Sequence, residues 1–576
     1  MQGALQGHGR ARPSIGLVRW SVIAGTALTL VGLALAPPAG ARTAAAKTDA
    51  FELGPATPPR AVAAQAPALP SPAGLPRSFS GALSQLLAAR SISAVTEQAD
   101  LAAMVAARHS LAKLTGTRHT ELAAVIDTLT RISTTGLLTA SRLPPLVLTL
   151  QRNRQWWTTG PLLSFEERVT FPGSLLVWEY YPGQGIQIQW LASFGKANGY
   201  FLTGPADNAE LGQILDELVG LAVQRAGGIA WEYDFTFDGG APPWVSSISQ
   251  GTAIQALSRA AVRLGRPGYF DDAREALTIF ETPPPVGVRL TTPTGAWYLI
   301  YSFAPHQLVL NAFIQSLVGL YDFAALANDP TGRALFAAGD AEAVIDVPHY
   351  DTGAWSLYDQ STESDLGYHE LLEGFLKNLC SRTLDPAATI APTLAAASAT
   401  KAAMTPRTSG RPTPARRAGR LVVAPVTGGS PAPTGGTPPS STPAPAPTPA
   451  PAPAPTPAPT PASNVFCTTA AGFAADLHQP PRLALAVTGT VRAGRPAAVD
   501  LTLSKISNVT MVATRAGRIT SSVREQLGHG VRTLGWTPAK PGRYLITVAA
   551  TDLAGNAARI SLAVTVAHAP RNAKRA

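Results

Sequence analysis

Two cysteines in 576 residues, Cys380 and Cys467, are too few for a disulfide scaffold and too far apart for a zinc site. They flank a proline-rich stretch, and two readings stay open for them, one disulfide or two free thiols. Gly-x-Ser-x-Gly, His-Glu-x-x-His, a Walker loop and a dinucleotide fingerprint are all missing, which argues against a serine hydrolase, a zinc peptidase and a nucleotide enzyme. Long apolar runs are also scarce. One stands out, "SVIAGTALTLVGLALA" from Ser21 to Ala36, preceded by Arg10, Arg12 and Arg19 and followed by a small-residue site ending at Ala41. It is short for a spanning helix, so residues 1–41 are expected to be a signal peptide cleaved near Ala41, with a secreted or cell-surface product. An uncleaved anchor is the alternative.

Acidic charge is in deficit over the whole chain, which carries a net +10, but not in its middle. Between Pro145 and Leu384 there are 13 Lys and Arg against 25 Asp and Glu. The basic excess therefore sits in the tails and linker, and nucleic-acid binding gains no support from it.

Residues 42–79, rich in Ala, Pro and Arg, carry no periodicity and are expected to be disordered. Residues 80–140 show helical spacing, with Leu101, Met104 and Val105 on one face and Leu122, Val125, Ile126 and Leu129 on another. Residues 145–384 form the expected central domain. Its segment Arg168–Trp190 reads as strands broken at Pro172, Gly173, Pro182 and Gly183, and Asn208–Ala226 reads as a helix. Ser249–Phe280 reads as two helices about a Gly-Arg-Pro-Gly turn, and Val286–Ser302 as a β-hairpin. His306–Leu326 reads as a helix apolar nearly all round and hence buried. The fold class predicted is multidomain: a mainly α central domain, an α/α toroid with β-hairpin insertions, then a Pro/Ala/Thr-rich linker at 385–463. An all-β immunoglobulin-like sandwich at 480–567 follows, with Tyr544, Ile546 and Val548 on one face and Ile560, Leu562 and Val564 on another.

The segment "YDTGAWSLYDQSTESDLGYHE", Tyr350–Glu370, concentrates three of the chain's 12 tyrosines among acids and a histidine. Aromatic and acidic side chains lining a cavity suit carbohydrate binding, because sugar rings stack on aromatic faces while hydroxyls bond to polar groups. "PWVSSISQGTAIQALSRA" (Pro243–Ala260), "WYLIYSFAPHQLVLNAFIQSLVGLYDF" (Trp297–Phe323) and "YDTGAWSLYD" followed by "YHELL" resemble, in order, blocks of the C-terminal domain of D-glucuronyl C5-epimerases. "GQGIQIQWLASFG" (Gly183–Gly195) resembles an upstream block, and the resemblance covers roughly Ser164–Leu379.

That resemblance implies conversion of glucuronic acid to iduronic acid residues within a polysaccharide, by C5 proton abstraction and return. It carries the reacting groups onto Tyr301, Tyr358 and Tyr368. A phenolate, with an unperturbed pKa of about 10, is a strong base, and the phenol can return a proton. Lys196, Arg168, Trp244, Gln250, Asn311 and His369 are the substrate-binding candidates, with Arg152 and Arg154 as further cations. No metal or other cofactor is implied. The partner expected is a glucuronate-containing polysaccharide, with cell-envelope contact through the C-terminal module. Where animal members carry a glutamate before the first tyrosine this chain has Ile300, and where they carry an arginine three residues past the second it has Ser361. Two rivals stand beside this reading: a uronate polysaccharide lyase, and a catalytically inactive glycan-binding cell-surface protein. Tyr350 is assigned to packing.

Overall fold

The computed structural model describes residues 74–385 and 464–569. The signal segment, most of the stretch 42–79 and nearly all of the linker 385–463 lie outside the described residues. Among the described residues, no helix is long and apolar enough to cross a membrane.

Four helices open the structure: α1 (Phe79–Ala88), α2 (Ala94–Leu111), α3 (Gly116–Thr134) and α4 (Leu143–Thr159). Ser78 and Ser93 accept from the Gly81 and Thr96 N–H groups at 3.1 and 3.0 Å, occupying first-turn donors that have no partner inside a helix. Leu122, Val125, Ile126 and Leu129 are buried, as their spacing predicts. The face predicted on α2 is narrower than expected. Met104 is buried, but Val105 is 66% exposed, because one residue along a helix turns about 100° away from the contact.

Three short strands follow, β1 (Arg168–Val169), β2 (Trp178–Tyr181) and β3 (Gly185–Ile188), antiparallel in that order. The β2–β3 turn is held from α3: buried Glu121 accepts from Tyr180 Oη and from the Gly183 and Gly185 N–H groups at 2.9 to 3.0 Å. After α5 (Trp190–Thr203) comes α6 (Asn208–Val219). The helix expected to reach Ala226 stops at Gly220. Val223–Arg225 (β4) instead pairs with Gly228–Ala230 (β5) about Ala226 and Gly227, whose φ values of 57° and 84° no right-handed helix tolerates.

The expected helical hairpin is α7 (Ser247–Leu264) and α8 (Gly268–Ala276), separated at Gly265 with φ 64°, and a short α9 (Thr278–Glu281) follows. β6 (Arg289–Thr291) and β7 (Ala296–Tyr298) form the expected hairpin. Next come α10 (Leu310–Leu326), buried along nearly its whole length, α11 (Pro330–Asp346), α12 (Leu366–Leu384) and, past the linker, α13 (Val465–Asp476). α7 and α10 touch backbone to backbone: a Cβ on Gly319 would overlap the Gly251 carbonyl oxygen, and one on Gly251 would meet the Ser316 backbone. Cys380 and Cys467 are disulfide-bonded, joining α12 to α13. Residues from Phe79 to Phe473 share one hydrophobic core, so the four opening helices and α13 are packed into the same body as the central helices.

The C-terminal region is all β, with strands β8 (Leu483–Val487), β9 (Ala497–Leu503), β10 (Ser507–Arg515), β11 (Arg518–Leu527), β12 (Gly530–Trp536), β13 (Gly542–Asp552) and β14 (Ala557–Val566). They form two antiparallel sheets, ordered β11-β10-β13-β14 and β12-β9-β8, over a separate core containing Trp536, Ile546 and Val548. The two alternating runs read from the sequence are direct cross-strand neighbours on one face: Tyr544 opposes Val564, Ile546 opposes Leu562, and Val548 opposes Ile560.

Asp322 on α10 is the charge that ties three central helices together. It pairs with Arg259 of α7 at 3.0 Å and with Arg382 of α12 at 2.7 Å, and it accepts from Gln255 at 2.9 Å. Burial pushes its carboxyl up, and the two guanidiniums outweigh that and hold it below the usual range. Asp322→Ala leaves two buried guanidiniums without a counter-charge and is expected to cost about 3–5 kcal/mol, measured as a lower midpoint in denaturant unfolding followed by tryptophan fluorescence.

Candidate active site

Three separate segments deliver the three tyrosines. Tyr301 lies just past β7, where the chain is held by main-chain bonds from Ser247 N–H to the Leu299 carbonyl at 3.1 Å and from Ser302 N–H to the Val245 carbonyl at 3.0 Å. Tyr358 sits in an irregular hairpin, Asp351–Asp365, in which its N–H donates to the Thr362 carbonyl at 2.7 Å and its own carbonyl accepts from Leu310 N–H at 3.2 Å. Tyr368 occupies the first turn of α12, its N–H capped by Asp365 Oδ1 at 2.8 Å.

These elements bring the three rings together. Tyr358 and Tyr368 have ring centroids 4.9 Å apart, and the Tyr301 and Tyr358 phenols lie near enough to act on each other's ionisation. Tyr301 stacks on Phe303 at 5.2 Å and meets Trp244 edge-on at 5.6 Å. Burial, then the charges at Tyr358, Tyr368 and Asp238, then hydrogen bonding with Tyr358 push the Tyr301 phenol well up. Tyr358 is also raised by burial, but hydrogen bonding with Tyr301 acts in the opposite sense and favours its phenolate. The two phenols are therefore shifted unequally: burial raises both, while Tyr301 acts to favour the Tyr358 phenolate, which makes Tyr358 the better placed base of the two.

Asp238 was not among the residues singled out from the sequence. It sits at φ 44° in a tight turn where Phe237 and Gly240 exchange main-chain bonds at 3.2 and 2.7 Å, and its charge acts on both Tyr301 and Tyr358. A Cβ on Gly240 would run into the Phe303 ring, so the turn lies against the ring on which Tyr301 stacks. An acid followed by two glycines after an aromatic run was the available signal. Behind this turn Glu232 takes Arg142 at 2.6 and 2.7 Å and Arg225 at 2.6 Å, a buried cluster that fixes the chain leading into it. Tyr233 stacks on Trp244 at 4.3 Å, and its hydroxyl donates to Gln189 at 2.9 Å.

The substrate-binding candidates divide. Trp244 belongs to the tyrosine cluster. Asn311 lies in the first turn of α10, one residue beyond the contact with the Tyr358 carbonyl, and its buried Oδ1 has no hydrogen-bond partner among the described residues. Gln250 is taken up by the Trp231 backbone, donating to its carbonyl at 2.9 Å and accepting from its N–H at 3.3 Å. Arg168 pairs with Glu179 at 2.9 Å. Lys196 donates to the Leu175 carbonyl at 3.0 Å, with its pKa lowered by burial against the opposing charge of Glu217. None of these three shares a contact with the cluster. Arg152 and Arg154 line a separate cavity of about 380 Å³ beside α4.

His369 is fully buried between protein groups. Its ring stacks on Trp355 at 3.8 Å, Nε2 lies 3.0 Å from the Phe473 carbonyl, and Nδ1 lies 3.2 Å from Ser356 N–H. A carbonyl only accepts and an N–H only donates, so the neutral tautomer carrying its proton on Nε2 satisfies both. Both ring nitrogens are thereby occupied by the protein.

One family match falls over the segment that carries the cluster. Residues 226–388 match the family described as D-glucuronyl C5-epimerase C-terminus, a range that holds Asp238, Trp244, Tyr301, Asn311, Tyr358 and Tyr368. The D-glucuronyl C5-epimerase of Caenorhabditis elegans is 36% identical over 131 residues, which is 20% of this chain and 21% of that protein. An uncharacterized protein of Methanocaldococcus jannaschii is 26% identical over 138 residues, 23% of this chain and 45% of that protein. The chain thus spans less than half the length of these curated relatives. Among solved structures, an engineered protein matches 16% of this chain and 20% of its own at 22% identity, with a TM-score of 0.13, and carries no argument about the fold.

Burial lowers the His369 pKa to about 4, with the nearby Lys505 charge adding to it and the Phe473 carbonyl opposing. An unfolded histidine titrates at about 6.5. The stability that His369 contributes as a neutral group is therefore present above about pH 6.5 and is lost as the pH falls towards 4. Unfolding free energies of the protein and of His369→Gln, compared at pH 7.5 and pH 4.5, are expected to converge by about 2 kcal/mol at the lower pH.

Proposed function

We propose that this chain, which contains a D-glucuronyl C5-epimerase C-terminal domain at residues 226–388, epimerises glucuronic acid residues of a polysaccharide at C5 through its tyrosine cluster. The observation that carries the proposal is the junction of Tyr301, Tyr358 and Tyr368 in one cluster, with Tyr301 and Tyr358 buried and Tyr368 half-buried. In this reading Tyr358, as phenolate, takes the C5 proton and the electron pair delocalises into the uronate carboxyl. Tyr368, from α12, returns a proton to the opposite face. The sugar loses one proton and gains one, leaving Tyr358 as the phenol and Tyr368 as the phenolate, and a proton passed back from Tyr358 to Tyr368 by way of solvent resets the pair for the next turnover. Trp244 and Phe303 give the sugar ring an apolar wall, and Asn311 offers a side-chain amide to the carboxyl or a hydroxyl, which would help to stabilise the carbanion.

The wider proposal is a secreted or cell-surface protein whose helical body is an α/α toroid and whose C-terminal sheets form an immunoglobulin-like module in contact with the cell envelope. A second reading rests on two positions: Ile300 is buried beside Tyr301, and Ser361 is exposed at the tip of the hairpin carrying Tyr358. A protein that binds glucuronate polymers without turning them over would carry such losses.

The test is C5 exchange in deuterated water with glucuronate polymers, followed by NMR. Deuterium at C5 together with iduronate is the expected outcome, and Tyr358→Phe is expected to lower the rate at least about 100-fold. An unsaturated uronate product would identify a lyase instead, and binding without exchange would select the second reading. Because burial holds Tyr358 above the ordinary phenol value, kcat/KM is expected to rise about tenfold per pH unit between pH 6 and 9. A carboxylate base would leave the profile level over that range.

A further inference from the structure

We infer that the chain beyond the linker completes the tyrosine site, with Glu363 as the positioning residue through which the C-terminal β region holds the Tyr358 hairpin. The inference rests on the epimerase reading for the role of Tyr358. The sequence suggests a spacer and an independent module, and the contacts run the other way. Glu363 lies across the hairpin from Leu357, the neighbour of Tyr358, in a single β-bridge. Its side chain is 6% exposed, and none of its described hydrogen-bond partners belongs to the helical body. Oε1 accepts from Ile506 N–H at 2.8 Å, in the β9–β10 turn, and Oε2 accepts from His529 N–H at 2.7 Å, in the β11–β12 turn. Gly528 approaches so closely that a Cβ there would stand 2.8 Å from Oε2. Two turns at one end of the sandwich thus close on one carboxylate.

Further contacts hold the same segment. Arg482 Nη2 donates to the Gly353 carbonyl at 3.2 Å, and Lys505, ion-paired with Asp552 at 2.9 Å, faces the Trp355 ring at 5.2 Å. On the α12 side, which carries Tyr368, α13 supplies the Phe473 carbonyl to His369 and Cys467 to Cys380. The hairpin is short and irregular, and the contact of the Tyr358 ring with Tyr368 at 4.9 Å needs it in one place. A shift of about 1 Å in a reacting group is enough to cost about 100-fold in rate. A buried carboxylate bound by the backbone of another region supplies that constraint without touching the sugar.

The full chain carries the test, because Phe466, Ala470 and Phe473 of α13 belong to the main core and truncation would open it. Glu363→Ala removes the acceptor from the hairpin side. Gly528→Ala pushes a methyl group against the carboxylate from the β side and leaves the hairpin sequence intact. Amide hydrogen exchange by mass spectrometry is expected to show residues 351–365 losing protection about tenfold in both variants while β13 and β14 keep theirs, which also reports that the module is folded. Turnover in the C5 exchange assay is expected to fall about 10- to 100-fold with KM for the polymer changed less than about threefold. Unchanged protection of 351–365 in both variants overturns the inference, whatever happens to turnover, and so does lost protection with turnover intact. If the unmutated protein shows no C5 exchange, the epimerase reading fails by itself, and hydrogen exchange still decides whether Glu363 holds the hairpin.

Discussion

Helix α10 is buried along nearly its whole length, and the rest of the helical body is arranged around that fact. Gly251 and Gly319 let α7 approach it backbone to backbone, and Asp322 gives it a buried charge that needs both Arg259 and Arg382. The same helix begins where the Tyr358 carbonyl meets Leu310 N–H. Packing along α10 and the position of the Tyr358 hairpin are therefore set by one element. A shift of α10 large enough to relieve one contact would be felt at the other, because close-packed interiors do not deform smoothly.

The cluster at that end has the character expected of proton-transfer groups. Burial alone would keep Tyr301 and Tyr358 protonated, which suits donation but not abstraction. The two phenols act unequally on each other, which gives Tyr301 and Tyr358 different characters. Asp238 works against phenolate formation at both, so under the proposed function the cluster's negative charge would have to be answered before a uronate could bind. Nothing in the Lys196 or Arg168 contacts answers it, since each is engaged by other protein groups.

The β region is tied to the helical body more closely than a proline-rich spacer suggests. A proline-rich spacer suggests independence, yet the chain past it returns a helix to the main core, a disulfide to α12 and two turns to Glu363. The spacer's length permits this return.

Much of the molecule was legible in its sequence. Periodicity located Leu122, Val125, Ile126 and Leu129 in the core and identified α10 as buried, because a helix repeats every 3.6 residues whatever surrounds it. Alternation located β13 and β14, and the ordered blocks around Tyr301, Tyr358 and Tyr368 pointed to the tyrosines and Trp244. Local pattern failed where a neighbour or a backbone angle decided: Val105 faces outward, and the run to Ala226 bends into a strand at residues with positive φ. Residue type could not say that His369 and Gln250 would be used up by protein groups, that Asp238 would act on the tyrosines, or that Glu363 would reach across to Ile506 and His529. These are distances between residues tens to hundreds of positions apart. Sequence settles which chemical groups exist and which face of an element they occupy, whereas a group's partner, and hence its charge and its role, is settled only when chain closure brings distant elements into contact.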